Sequence, residues 1–238
     1  MKTEIADRIY RLSTFVPSIG PTGFTFNQFL IDDEQPLLFH YGHRAMFPLI
    51  STAVKSVMPL ERLRWTTCSH VEGDESGALN QWLAAAPHAT PAHGQVGCNI
   101  WLTDMADRPP RALRNDETLD LGAKKVRWLD TPHVPHNWDA GLIYEETTGT
   151  LFSSDLFTQA GACPATTTDD IVGPAIATEK VVPFMPATPQ AAPTLRRLAA
   201  LKPRTIALMH GPSFIGDGEA ALEALADYYE ARRTQASM

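Results

Sequence analysis

The chain has 238 residues, 44% hydrophobic and 20% charged, which is enough for one large domain with its own core. Its 20 Lys and Arg stand against 27 Asp and Glu, a formal charge of -7, so it lacks the basic surface that a nucleic-acid partner needs. No apolar run is long enough to span a bilayer and Met1 to Asp7 lack the charged-then-apolar pattern of a signal peptide, so the expected location is cytoplasmic, with no membrane partner.

In chain order, Ile9 to Phe15, Phe26 to Ile31 and Pro36 to His40 are short β-rich stretches separated by turn residues, and they read as the opening strands of a sheet. Met46 to Val57 carries apolar residues at helical spacing, Arg64 to Thr67 returns to strand, and Gly77 to Ala86 suits a helix. Asn99 to Leu102 and Lys125 to Leu129 are predicted strands, while Gly141 to Tyr144 and Thr150 to Ser153 flank a Glu-Glu-Thr-Thr-Gly turn as a hairpin would. A Pro- and Thr-rich connection from Pro164 to Pro189, irregular or helical, leads to a helix over Ala191 to Leu201 and a buried strand over Thr205 to Met209. Glu219 to Arg233 closes the chain as an amphipathic helix, acidic early and basic late. Strands first and mixed helices later point to a layered α/β sandwich, and no repeat or linker divides residues 1–238.

The chemistry concentrates in His70-Val71-Glu72-Gly73-Asp74-Glu75, directly after the strand ending at Thr67. Alternate residues of extended chain point the same way, so His70, Glu72 and Asp74 are expected to face one cavity. An imidazole and two carboxylates desolvated together repel strongly unless a cation joins them, and that makes a metal site the sharper reading against a solvated polar loop. Cys68, Cys98 and Cys163 lie far apart and form neither a disulfide framework nor a C-x-x-C site, so the expected donors are nitrogen and oxygen. Further donors stand at other predicted strand ends: His133 and His136 in Pro132-His133-Val134-Pro135-His136-Asn137-Trp138-Asp139, Asp155 after Ser153-Ser154, and His210 before Gly211-Pro212.

This arrangement resembles the metallo-β-lactamase superfamily, whose four-layer αβ/βα sandwich is the fold the resemblance implies. Most members carry a second histidine where this chain has Glu72; a glutamate there is similar to the diiron domain of flavodiiron proteins and their stand-alone oxygen-binding relatives. Leu151-Phe152-Ser153-Ser154-Asp155-Leu156-Phe157 and His210-Gly211-Pro212 resemble that family's bridging-aspartate and last-histidine segments. The resemblance implies one iron on His70, Glu72 and His136, a second on Asp74 and His210, and Asp155 bridging both.

It implies a non-haem diiron protein that binds O2, or NO, between two irons. Such a protein would act as an oxygen sensor or binder, or as an O2/NO reductase with a separate electron donor. Expected partners are that redox protein and, as an assembly, a homodimer. The flavodoxin-like domain of flavodiiron reductases is absent from these residues, and no flavin is expected in the chain. A rival reading is a dinuclear zinc or manganese metallohydrolase acting on an ester, thioester, lactone or phosphodiester; Glu72 argues against it, because a carboxylate lowers the Lewis acidity available to activate water.

Glu75 departs from the family pattern, which usually has histidine there, and is expected to stand behind the ligands or face water rather than coordinate. His133 is expected near the pocket without coordinating; His40 and His43 read as ordinary core or surface imidazoles, and His88 and His93, in an Ala- and Pro-rich stretch, as exposed. Cys68 reads as a small buried residue rather than a ligand. Ser153 and Ser154 lack the Gly-x-Ser-x-Gly elbow of a serine hydrolase.

Overall fold

A computed structural model describes residues 1–236. The first sheet runs in sequence order through β1 (Lys2–Ala6), β2 (Ile9–Val16), β3 (Phe24–Ile31), β4 (Leu37–Phe39), β5 (Trp65–Thr67), β6 (Thr90–Gly94) and β7 (Arg111–Leu113). The second contains β8 (Thr118–Asp120), β9 (Lys125–Asp130), β10 (Gly141–Glu145), β11 (Thr150–Ser154), β12 (Thr166–Thr167), β13 (Thr205–Leu208) and β14 (Ser213–Ile215), in the spatial order β12-β14-β13-β11-β10-β9-β8. Both sheets are mixed. Strands β1 to β4 pair antiparallel and β4 to β7 parallel, while β11 and β13 form a parallel pair beside an antiparallel run from β8 to β11.

The helices are α1 (Phe47–Lys55), α2 (Gly73–Ser76), α3 (Leu79–Ala85), α4 (Gln95–Gly97), α5 (Thr103–Met105), α6 (Val172–Val181), α7 (Ala191–Ala199) and α8 (Gly218–Ala236). No helix among the described residues is long and apolar enough to cross a membrane. Strand periodicity distributes the side chains among three layers of core. Phe29, Ile31, Leu37 and Phe39 face Val126, Trp128, Ile143, Phe152 and Ala207 between the sheets. Their chain neighbours Leu30 and Leu38 turn outward onto Ile50 and Val54 of α1 and Trp82 and Leu83 of α3. On the far side, Leu142, Leu151, Ile206 and Leu208 meet Leu195 and Leu198 of α7 and Leu222 and Leu225 of α8. The result is the expected four-layer αβ/βα sandwich.

Trp82 anchors the first helical layer. It is fully buried, packs edge-on to Phe47 at 5.1 Å between ring centroids, and donates its indole N–H to the Tyr41 carbonyl at 2.8 Å. Trp82→Ala is expected to cost about 3–5 kcal/mol of stability, read from a shifted midpoint in urea unfolding.

Two expectations fail. Asn99 to Leu102 is no strand but part of a π-helical segment, Cys98–Leu102, between α4 and α5. Its apolar run looked β-like, yet Cys98, Trp101 and Leu102 are the buried positions, an i, i+3, i+4 pattern that belongs to a helix. His93 is not exposed: it lies on β6, with its ring 5.5 Å from that of Trp101 and 4.8 Å from that of Trp128. Pro91 and the neighbouring alanines disguised this central strand, which pairs with both β5 and β7. His88 is exposed as expected.

Candidate metal centre

All the predicted ligands collect where strands of both sheets end. His70 follows β5, His136 lies in the loop after β9, Asp155 follows β11 directly, and His210 comes two residues after β13. Because β11 and β13 are parallel neighbours with Ser154 opposite Leu208, Asp155 and His210 leave the sheet side by side. The two sheets are stitched together here. The Gly141 N–H of β10 donates to the Ser69 carbonyl at 2.8 Å, and Asn27 of β3 donates from Nδ2 to the carbonyls of Leu208 and Gly211 at 2.9 and 2.8 Å. A Cβ at Gly141 would stand 2.1 Å from the Trp128 ring, so only glycine allows that close approach.

The ligand segment itself differs from the simple extended picture. Glu72 is extended, at φ -147° and ψ 166°, but it opens α2, and the helix swings Asp74 and Glu75 away from His70. Two groups result: His70, Glu72, His136 and Asp155, and Asp74, Glu75 and His210; within each, one donor atom per residue lies within 4.8 Å of all the others.

Asp155 joins them. Its Oδ2 is 3.4 Å from His70 Nε2 and 3.0 Å from His136 Nε2, while its Oδ1 is 3.2 Å from His210 Nε2. Glu72 Oε2 lies 3.4 Å from His70 Nε2 and 3.5 Å from His136 Nε2, and Asp74 Oδ2 lies 3.3 Å from His210 Nε2. Two donors each about 2.1 Å from one ion stand roughly 3.0–3.4 Å apart in octahedral or tetrahedral geometry, so these separations fit a cation within each group. The orphaned atoms fit as well: both Glu75 carboxylate oxygens and Asp155 Oδ1 are buried without a hydrogen-bond partner.

The histidines are oriented from behind. His210 donates from Nδ1 to the Thr25 carbonyl at 2.8 Å, which leaves Nε2 as the free donor atom. His136 Nδ1 meets Asn137 Oδ1 at 3.3 Å, and Asn137 Nδ2 donates to the Val71 carbonyl at 3.1 Å. His70 Nδ1 lies 2.8 Å from Ser69 Oγ, which also meets Ser154 Oγ at 2.6 Å and His40 Nε2 at 3.2 Å. This hydroxyl junction escaped sequence reasoning, since serines beside a histidine carry no signal until β5 and β11 are brought together. Ser69→Ala is expected to weaken metal binding by about tenfold, measured by competition with a chelator.

Charge in the cluster is held in tension. Burial would depress the His210 imidazolium, but Asp155 and Asp74 hold it protonated up to about 10. Burial likewise opposes the charged form of Asp155, yet His136 and His210 hold its carboxyl well below the ordinary range. Burial, with Asp155 and Asp74 alongside, pushes the Glu75 carboxyl well above its ordinary value. Without a cation, then, seven groups can only satisfy one another; two divalent ions reverse the repulsion among the carboxylates.

The remaining candidates fall outside the cluster. His133 is exposed and belongs to neither group. His43 is partly buried against the Phe26 ring, and His40 is fully buried, its Nδ1 2.9 Å from Met209 Sδ. Burial pushes the Cys68 thiol up, and its Sγ donates to the His70 carbonyl at 3.4 Å, a core role and not a ligand's. Glu72 keeps 52% of its side chain exposed, which makes its side the open face of the site.

A family model described as ODP family beta lactamase matches residues 24–211. The chain belongs to that family, the metallo-β-lactamase-like domain found in flavodiiron proteins. It is 25% identical to the rubredoxin-oxygen oxidoreductase of Megalodesulfovibrio gigas over 230 residues, 91% of this chain and 56% of the relative. A relative from Nostoc sp. is 30% identical over 138 residues, 57% of this chain and 24% of its own length. The solved rubredoxin oxygen:oxidoreductase of Desulfovibrio gigas superposes with a TM-score of 0.85 at 23% identity, covering 97% of this chain and 62% of that one. The flavodiiron protein of Giardia intestinalis gives 0.84 at 18% identity, covering 96% and 59%. The chain thus spans about a quarter to just over half of these curated relatives.

Proposed function

We propose that this chain is a non-haem diiron domain that binds O2, or NO, at two irons, with His70, Glu72 and His136 on one, Asp74 and His210 on the other, and Asp155 shared. The observation that carries this reading is the placement of the two Asp155 oxygens, one toward each donor group. A bound iron pair would supply open coordination positions and electrons for a small diatomic ligand.

The chain's own residues do the rest. Asp155 would hold two like charges close together, and the backbone-carbonyl, amide-oxygen and hydroxyl partners of His210, His136 and His70 keep each imidazole aimed inward. Carboxylate-rich N/O donation without thiolate suits iron. The names of the relatives, which include an anaerobic nitric oxide reductase flavorubredoxin, support O2 or NO as the ligand. The reading treats residues 1–238 as one domain, so electrons for any reduction come from a donor outside it, and an oxygen-sensing or oxygen-binding role needs no such donor.

The test is to load the protein with ferrous iron anaerobically, count metals, and record the visible spectrum before and after O2. Two irons per chain and an O2-dependent absorption band are expected. Two zincs with ester or phosphodiester turnover, or an iron spectrum blind to O2, would contradict the reading.

A further inference from the structure

We infer that Glu75 is itself a metal ligand, completing the second ion's site as its fourth protein donor. The proposal rests on the dinuclear reading above and goes beyond the six ligands it names. Glu75 is 1% exposed, and neither of its carboxylate oxygens has a hydrogen-bond partner, although a buried carboxylate normally collects several. The group is aimed at the cluster: its donor oxygen lies within 4.8 Å of a carboxylate oxygen of Asp74 and a ring nitrogen of His210, and Oε2 is 3.9 Å from His70 Nε2. Its own backbone fixes that aim, because the Glu75 carbonyl accepts the Tyr41 N–H at 2.7 Å and α2 presents the side chain inward.

The donor count makes the same point. Without Glu75 the second ion would have Asp74, His210 and one oxygen of Asp155, while the first has His70, Glu72, His136 and the other oxygen. Adding Glu75 gives each ion four protein donors. It also changes the charge. Glu72, Asp74, Glu75 and Asp155 sum to -4, which cancels two divalent ions, whereas three carboxylates would leave +1. A more negative cage favours the ferric state, so Glu75 sets a lower reduction potential at the second iron than a neutral ligand would.

The competing account is that Glu75 is a neutral buried acid held only by packing. Glu75→Gln, Glu75→Ala and Glu75→His separate the two, because glutamine keeps the shape and histidine restores a donor without the charge. Each is titrated anaerobically with ferrous iron, with metal content, midpoint potential and melting temperature recorded. The expected result is that Gln and Ala hold the first ion as before and bind the second at least about tenfold more weakly, while His recovers the second ion at a higher midpoint potential. Second-ion affinity unchanged in both Gln and Ala, both ions lost together, or a His variant that fails to recover the second ion would overturn the proposal. Wild-type protein that takes up fewer than two ions would sink the dinuclear reading and this ligand with it, a different failure from two ions bound indifferently to position 75.

Discussion

Asp155→Ala is expected to hold no more than one metal ion per chain, and to hold that one more than about 100-fold more weakly than the wild type. One side chain has this reach because of its place in both groups. Its Oδ2 stands 3.0 Å from His136 Nε2 and its Oδ1 stands 3.2 Å from His210 Nε2, so the substitution removes a donor from each ion and the bridge that offsets their mutual repulsion. Two effects on the fold oppose each other. Asp155 is paired with His136 and His210, yet it also crowds Asp74 and Glu75, and removing it relieves that repulsion. The variant should therefore fold, with the sheet pairing of β11 and β13 untouched, and lose metal rather than structure. Metal analysis after dialysis, beside circular dichroism, checks both halves; a folded variant that keeps two ions refutes the bridge.

Chelation of the metals is expected to lower the melting temperature by on the order of 10 °C. An ion at a thousand times its dissociation constant contributes about 4 kcal/mol to the folded state, and a chain of this length shifts by roughly 2–4 °C per kcal/mol. The loss should grow with pH. His210 has its pKa raised in the folded chain from 6.5 to about 10, so its stabilisation is complete below 6.5 and disappears as pH rises through that window. Glu75 acts in the same direction, since a carboxyl raised well above 4.5 costs stability once the pH passes the value it would have unfolded. Asp155 is depressed below 3.8 and contributes stability that is lost only as pH falls under that value. Chelated protein should thus melt lower at pH 9 than at pH 6, while metal-loaded protein, with Nε2 of His210 occupied, changes little between them. Equal slopes for the two forms in scanning calorimetry would count against a cation in the cluster.

Much of the site could be read from the chain because metal donors at strand ends are chemically conspicuous. His70, Glu72 and Asp74 announce themselves by spacing, and His136, Asp155 and His210 by motif, and the structure brings all six together. Their division between the two groups followed only from the family resemblance, since the alternation rule would have put Asp74 beside His70, and the turn into α2 takes it elsewhere. The burial of Glu75 was not legible for the same reason: its neighbours Asp155 and His210 follow β11 and β13, distant in sequence. The Ser69 junction with Ser154 and His40 likewise exists only once two sheets meet. In the fold, long alternating strands such as β3 were legible, whereas β6 hid behind a proline and the segment Cys98–Leu102 behind an apolar run common to strands and buried helices.

X-ray absorption and anomalous diffraction at the iron edge, on protein loaded with ferrous iron, test the central claim most directly. The account predicts two irons per chain roughly 3.5–4 Å apart, with one Asp155 oxygen on each. A single iron, or two that do not share Asp155, would contradict it.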